Sequence, residues 1–273
     1  MMKTETSEDN ETSCVIIEKN NNGISFGKNE EKMGWKNQPT KVVSFDECIV
    51  PFENIVGRPG EGFKIAMQGL DGGRINIASC SLGAARFCID KCIEYVSERK
   101  QFGKFLKEFQ SIQFKIADMI TDYNAARLMV HEAANALDLK QSDTTIKSAM
   151  AKKFATDVCF NICNEALQIH GGYGYLTEYG IEKMVRDTRV HQILEGTNEI
   201  MKVIISRFIG SKPLSFVFAE ASDTPPICVP LLTKVRAFLA PKVADAFRNA
   251  PMGIRKVRFL LARSVFSKIT AIC

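Results

Sequence analysis

The sequence predicts a mainly helical protein, an antiparallel up-and-down bundle of long helices preceded by a small piece of sheet. Three observations predict it. Phe109, Ile112, Ile116, Met119, Tyr123, Ala126, Val130, Ala133 and Leu137 recur at alternating steps of three and four, which draws one apolar stripe along a long helix. Met150, Phe154, Val158, Ile162, Ala166 and Ile169 repeat the pattern. Ahead of residue 61 the pattern is different, with short β-branched runs separated by turn residues.

Taken in order, residues 1–13 carry Glu5, Glu8, Asp9 and Glu11 and read as a disordered start. They have neither the apolar core of a secretory signal nor the Arg-rich, acid-poor character of a transit peptide. Cys14–Ile17 is a short apolar run, Asn20 to Gly23 a turn, and Thr40 to Phe45 a second strand candidate. Pro51, Gly57, Pro59 and Gly60 then close the strand region. Helices are expected over about 62–98 and along the 109–137 stripe. A third runs from a cap at Ser142 or Asp143 to a stop at Gly171, and shorter helices cover about 178–190 and 197–209. Long helices with short links make an up-and-down bundle.

Residues 211–273 differ. Six prolines, from Pro213 to Pro251, break them into short pieces. They hold ten Lys/Arg against three Asp/Glu, so the tail carries +7 of the chain's net +5 and the body about −2. The body has no basic stripe with interleaved aromatics, which argues against nucleic acid. No apolar run is long enough to cross a bilayer. The nine cysteines include no CxxC pair, and no histidines follow at finger-like spacing. Cys88/Cys92 and Cys159/Cys163 therefore read as small apolar residues one helical turn apart rather than metal ligands, and a reducing compartment fits best.

Four segments are candidates for chemistry. Gln168-Ile169-His170-Gly171-Gly172 lies between helices, where glycines let backbone N–H groups approach a phosphate or simply end a helix. Glu195-Gly196-Thr197-Asn198-Glu199 sets a carboxylate beside a glycine and a helix cap. Arg99 to Gly103 follows a long helix and reads as a basic C-terminus favoured by the macrodipole. Asp71-Gly72-Gly73-Arg74 puts two glycines inside a helix, at about 1 kcal/mol each relative to Ala, so close packing or a ligand should compensate.

The order and spacing of these segments resemble the acyl-CoA dehydrogenase family over residues 14–208. The stretches Met33-Gly34-Trp35, Gln38-Pro39-Thr40, Gly73 to Ala85, Met150 to Asp157 and Val185 to Glu199 carry the likeness. They point to its branch acting on short branched acyl-CoA thioesters such as isobutyryl-CoA, in valine breakdown. The resemblance implies that residues 14–60 belong to a middle β domain and 61–210 to a C-terminal helical bundle. It implies Glu195 as the catalytic base, with Asp71, Gly72, Gly73, Arg74 and Arg207 at the acyl-CoA. It implies FAD contacts at Arg99, Phe109, Gln110, Gln168, Ile169, His170, Gly171 and Gly172, and at Thr197, Asn198 and Glu199 beyond the base. A homo-oligomer, usually a tetramer, follows, because parts of one flavin site come from a neighbouring subunit. An electron-transfer flavoprotein as acceptor and the mitochondrial matrix as location also follow, while the cysteine and histidine spacing above gives no metal site. The chemistry suits the residue types: a thioester α-proton is too weakly acidic for a carboxylate in water, so the base needs exclusion of water and a stabilised enolate.

The family's N-terminal helical domain and the first half of its middle domain have no counterpart here. The tail after Gly210 also departs from the family. Its proline spacing suits no single long helix, which favours a foreign or misspliced end over a basic segment that touches membrane. Two functions stay open: a working dehydrogenase, or a non-catalytic helical module that associates with full-length subunits.

Overall fold

A helix that buries alanine and cysteine can be approached closely from several sides, and such a helix sits at the centre of this protein. The structure is a computed structural model and describes residues 2–3 and 12–209. Helix α1 runs Gly62–Glu98, α2 Gln110–Asp138, α3 Thr144–His170, α4 Ile181–Thr188 and α5 Asn198–Ile209. Helix α3 packs against α1, α2 and α4. It meets them with Ala151, Ala155, Cys159, Cys163 and Ala166, all fully buried, opposite Ala78, Ala85, Cys88 and Cys92 of α1 and Ala126 and Ala133 of α2. Small side chains at the crossings let the backbones approach, while Phe154 and Val158 pack at the margin. The expected α3 stripe is thus displaced, because α3 is surrounded and its closest contacts fall on the small residues.

The α2 stripe stands as read from the sequence. Met119, Ala126, Val130 and Ala133 are buried, while Phe114 and Leu128 on the opposite side are exposed. Asp143 precedes α3 without donating a side-chain cap; its carboxylate pairs with Lys147 at 3.0 Å. Gly171 ends α3 with φ +59. The four core cysteines face one another across the α1–α3 crossing. Burial pushes the Cys92 thiol up to about 12, and the Cys163 thiol beside Cys88, together with burial, raises Cys88 too. These thiols are unreactive packing groups.

Strand β1 is Met2–Lys3, β2 Thr12–Val15, β3 Ile24–Phe26, β4 Val43–Phe45 and β5 Ile55–Val56. Strands β1, β2 and β5 form one antiparallel sheet and β3 and β4 another. Within the expected disordered start, Met2–Lys3 and Thr12–Ser13 are therefore strand, because each supplies backbone groups the other needs; the residues between lie outside the described ones. The first strand run begins two residues earlier than its apolar residues suggest. The tail expected from residue 211 also lies outside the described residues.

Two contacts attach the strands to the bundle. At Gly62 a Cβ would stand 2.6 Å from the Ser13 carbonyl carbon, and Gly60 N–H donates to Ser13 Oγ at 3.0 Å. Farther along, Trp35 N–H donates to Asp187 Oδ1 at 2.5 Å and Arg186 Nη1 to the Met33 carbonyl at 3.0 Å. A Cβ on Gly34 would lie 2.8 Å from Asp187 N, so no larger residue fits between them. The segments 33–35 and 185–187, far apart in sequence, form one joint.

Candidate active site

The turn between α4 and α5 carries the expected base. Glu195 and Gly196 are both left-handed, at φ +56 and +85. This region is uncommon for a residue with a side chain and costs on the order of 1 kcal/mol or more unless its surroundings impose it. Here the surroundings are specific. The ammonium of Lys152, on α3, donates to the Gly196 carbonyl at 2.9 Å and to Asn198 Oδ1 at 2.8 Å. Asn198 in turn donates to Thr156 Oγ1 at 3.0 Å and Asp157 Oδ1 at 2.7 Å. Gln192 donates to the same Asp157 oxygen at 2.8 Å.

The turn aims the half-buried Glu195 carboxylate across α1 at Gly73. A Cβ on Gly73 would lie 2.6 Å from Glu195 Cδ and closer still to Oε2. One of the two helix-interior glycines is thereby explained as room for this carboxylate. Gly72 is not, since its Cβ would meet only Leu137 Cδ2 at 3.9 Å. Flanking the two glycines, Arg74 Nη1 donates to Asp71 Oδ1 at 2.8 Å and Thr145 Oγ1 donates to Asp71 Oδ2 at 2.7 Å. Arg74 is only 5% exposed and its Nε is buried without a partner, so the guanidinium faces the packing rather than open solvent.

Thr197 caps α5, its Oγ1 accepting from Ile200 N–H at 3.4 Å. The Glu199 backbone N–H and then the Thr197 hydroxyl hold the Glu199 carboxylate below its ordinary range. The Asn198 amide is spent on α3, which leaves its backbone for any ligand. Arg207 is exposed in the last turn of α5, roughly 15 Å along the axis from Thr197.

The remaining candidates gather at the other end of the bundle. Strands β6, Lys100–Gln101, and β7, Lys104–Phe105, form a hairpin after α1. Beside it a cleft of about 450 Å³ is lined by Arg99, Gln101, Ile169, Gly171, Gly172 and Tyr173, among others. The Arg99 guanidinium lies 5.2 Å from the centre of the Tyr173 ring. At Gly171 and Gly172 nothing stands within 4 Å of where a Cβ would be, so their backbone is open to a ligand. Gln168 and Gln110 are exposed, and Phe109, half-buried at the start of α2, carries Lys104 Nζ 4.4 Å over its ring. The His170 side chain is buried. The imidazole turns inward, with Nδ1 2.8 Å from the Ala166 carbonyl and the ring stacked on Tyr95 at 4.3 Å; burial lowers its pKa.

Arg99 caps the C-terminal end of α1, 26 residues beyond Gly73. At about 1.5 Å per residue that is about 39 Å, beyond the reach of one extended dinucleotide. The two groups of residues are therefore well separated within the chain.

Lys152, Thr156 and Asp157, the residues that hold the base turn, were not singled out as a site by the sequence. The available signal was a lysine at a position where the neighbouring turns of α3 bury Ser148, Ala155 and Cys159. His191 is a second omission. It is 3% exposed, bonded through Nδ1 to Ser81 Oγ at 2.8 Å and set edge-on to Trp35 at 5.1 Å; burial lowers its pKa to about 4.

Residues 60–210, more than half of the chain, match the family described as acyl-CoA dehydrogenase, C-terminal domain. The chain belongs to the acyl-CoA dehydrogenase family. The mitochondrial isobutyryl-CoA dehydrogenase of Bos taurus is 55% identical over 195 residues, covering 71% of this chain and 47% of that one. The caffeyl-CoA reductase-Etf complex subunit CarC of Acetobacterium woodii is 44% identical over 200 residues, covering 73% and 52%. Among solved structures, butyryl-CoA dehydrogenase from Megasphaera elsdenii superposes with a TM-score of 0.70 at 42% identity, covering 72% of this chain and 51% of that one. The chain spans about half the length of the relatives it matches.

Proposed function

We propose that this chain supplies the helical half of an FAD-dependent dehydrogenase that introduces an α,β double bond into a short branched acyl-CoA, isobutyryl-CoA being the substrate. The observation that carries the proposal is the seat of Glu195. Among the described residues its carboxylate makes no ion pair, the turn that presents it is left-handed, and α1 has a glycine where the carboxylate lies. A half-buried carboxylate with free oxygens can take a proton from a substrate carbon held beside it. Glu195 would remove the α-proton, and the freed electron pair would form the double bond as the β-hydrogen leaves with its two electrons. FAD, when bound, supplies the acceptor for that hydride. Asp71 to Arg74 and Arg207 would border the acyl-CoA, the first group from α1 and the last from α5.

For the flavin, the open backbone at Gly171 and Gly172, the Arg99 guanidinium, Gln168, Phe109 and Gln110 suit a phosphate-bearing nucleotide. Thr197 to Glu199 would meet it on the other side of the base, Asn198 and His170 through their backbones. The separation of about 39 Å along α1 between Gly73 and Arg99 supports a homo-oligomer, in which one protomer's cleft faces its partner's base; a tetramer is the arrangement we favour. An electron-transfer flavoprotein would re-oxidise the flavin, in keeping with the name of the A. woodii relative. The name of the bovine relative supports a mitochondrial location.

The test is Glu195→Gln in an enzyme completed with the N-terminal half of the bovine relative. Gln keeps the shape and cannot accept the proton, so dehydrogenation should be abolished while FAD and acyl-CoA binding persist. Turnover within tenfold of the parent would refute the assignment.

A further inference from the structure

The least expected charge in this protein is the ammonium of Lys152. Its side chain is fully buried, yet both hydrogen-bond acceptors it meets are neutral, the Gly196 carbonyl and the Asn198 amide oxygen. Removing an ammonium from water is costly, and an apolar side chain of similar volume is often as stable or more so in such a place. The bundle therefore does not need a lysine there for packing. What the lysine contacts is the base turn. Gly196 directly follows Glu195, so a bond to its carbonyl fixes the peptide that joins the second of two successive left-handed residues to Thr197. Asn198 opens α5 and is bound to α3 a second time through Thr156 and Asp157. The turn is thus clamped on its C-terminal side by Lys152 and on its N-terminal side by Gln192 to Asp157.

Charges surround this point without touching the ammonium. Burial lowers the Lys152 pKa to about 8 against the pull of Asp157, Glu199 and Glu195 toward the charged form, with Arg74 acting in the same direction as burial.

We infer that Lys152 is a positioning residue for the base: by holding the Gly196 carbonyl and the Asn198 amide it keeps the Glu195 turn left-handed and the carboxylate on Gly73. The inference rests on Glu195 being the base. Its direct test needs neither flavin nor substrate. Amide hydrogen exchange is followed by mass spectrometry on the 273-residue chain, comparing the parent with K152M. Exchange across residues 193–199 should accelerate at least tenfold, while the α1 and α3 core, residues 78–92 and 155–166, stays within twofold. In the assembled enzyme the same substitution should lower kcat at least tenfold and leave KM for isobutyryl-CoA within twofold, the split expected of a misaimed base.

Unchanged exchange at 193–199 in a folded K152M chain overturns the inference. So does uniform acceleration over the whole bundle, which would make the lysine a general stabiliser. If K152M does not fold, N198A, which removes one acceptor and keeps the lysine, decides by the same readouts; loss of fold in both assigns the network to bundle stability and likewise overturns the inference. Full turnover by an E195Q enzyme would remove the base assignment while leaving the exchange result intact, so the two failures are distinguishable.

Discussion

Gly73→Ala separates what the helix prefers from what the site needs. A glycine inside a helix is less favourable than alanine by about 0.8–1.0 kcal/mol. On helix grounds alone the substitution should stabilise the protein, raising Tm by about 2–4 °C for a domain of this size. The added methyl, however, would stand 2.6 Å from Glu195 Cδ, where ordinary contact begins near 3.4 Å. The far end of a flexible side chain can move, so the fold survives and the carboxylate retreats by about 1 Å. A misplacement of about 1 Å in a reacting group can cost on the order of a hundredfold in rate. The expected result is an enzyme that is as stable as the parent or more so, and about a hundredfold slower. The assay is reduction of an artificial electron acceptor with isobutyryl-CoA, in the protein completed with the bovine N-terminal half, beside thermal unfolding of the same preparation. Gly83→Ala is the control: it lies on α1 with nothing within 4 Å of the new methyl, so it should share the stability gain and keep full activity. Turnover of Gly73→Ala within threefold of the parent, or an equal loss in Gly83→Ala, would refute the steric reasoning.

Two further outcomes follow from the same geometry. The buried His191 has a folded-state pKa near 4, below the ordinary value of 6.5 for a histidine free to charge. Its contribution is intact above pH 6.5 and is lost as pH falls toward 4, because the unfolded chain gains a proton that the folded one refuses; the loss is at most roughly 3 kcal/mol. Denaturant titrations of the parent and His191→Gln between pH 7 and 4 should converge as pH falls, and parallel curves would contradict this. Gly73, beside the base, and Arg99, in the cleft, lie about 39 Å apart along α1, and on the proposed reading a monomer offers only part of each flavin site. The 273-residue chain expressed alone should therefore hold FAD weakly and turn over isobutyryl-CoA negligibly; a monomer by light scattering with a stoichiometric flavin spectrum would show that reading wrong. An assembled chain that still binds no flavin would favour the non-catalytic helical module.

Periodicity alone determined the helical fold, since a three-four apolar pattern can be satisfied only by a helix with one face inside. That is why the α2 stripe and the limits of α1, from Gly62 to Glu98, were legible. The order of the motifs also determined the family, through residues such as Met33 to Trp35 and Val185 to Glu199 whose shared purpose emerges once they meet at Asp187. Tertiary structure decided the rest. Sequence showed two costly glycines in a helix, but only the packed turn shows that Gly73 makes room for a carboxylate 122 positions away. Only the fold shows where the His170 ring lies, stacked on Tyr95. Sequence passed over Lys152, because a lysine in a helix reads as solvated unless all its neighbouring faces are known to be covered. Local preference is written in adjacent residues, whereas the burial of a charge and the aim of a carboxylate depend on groups that only the folded chain brings together.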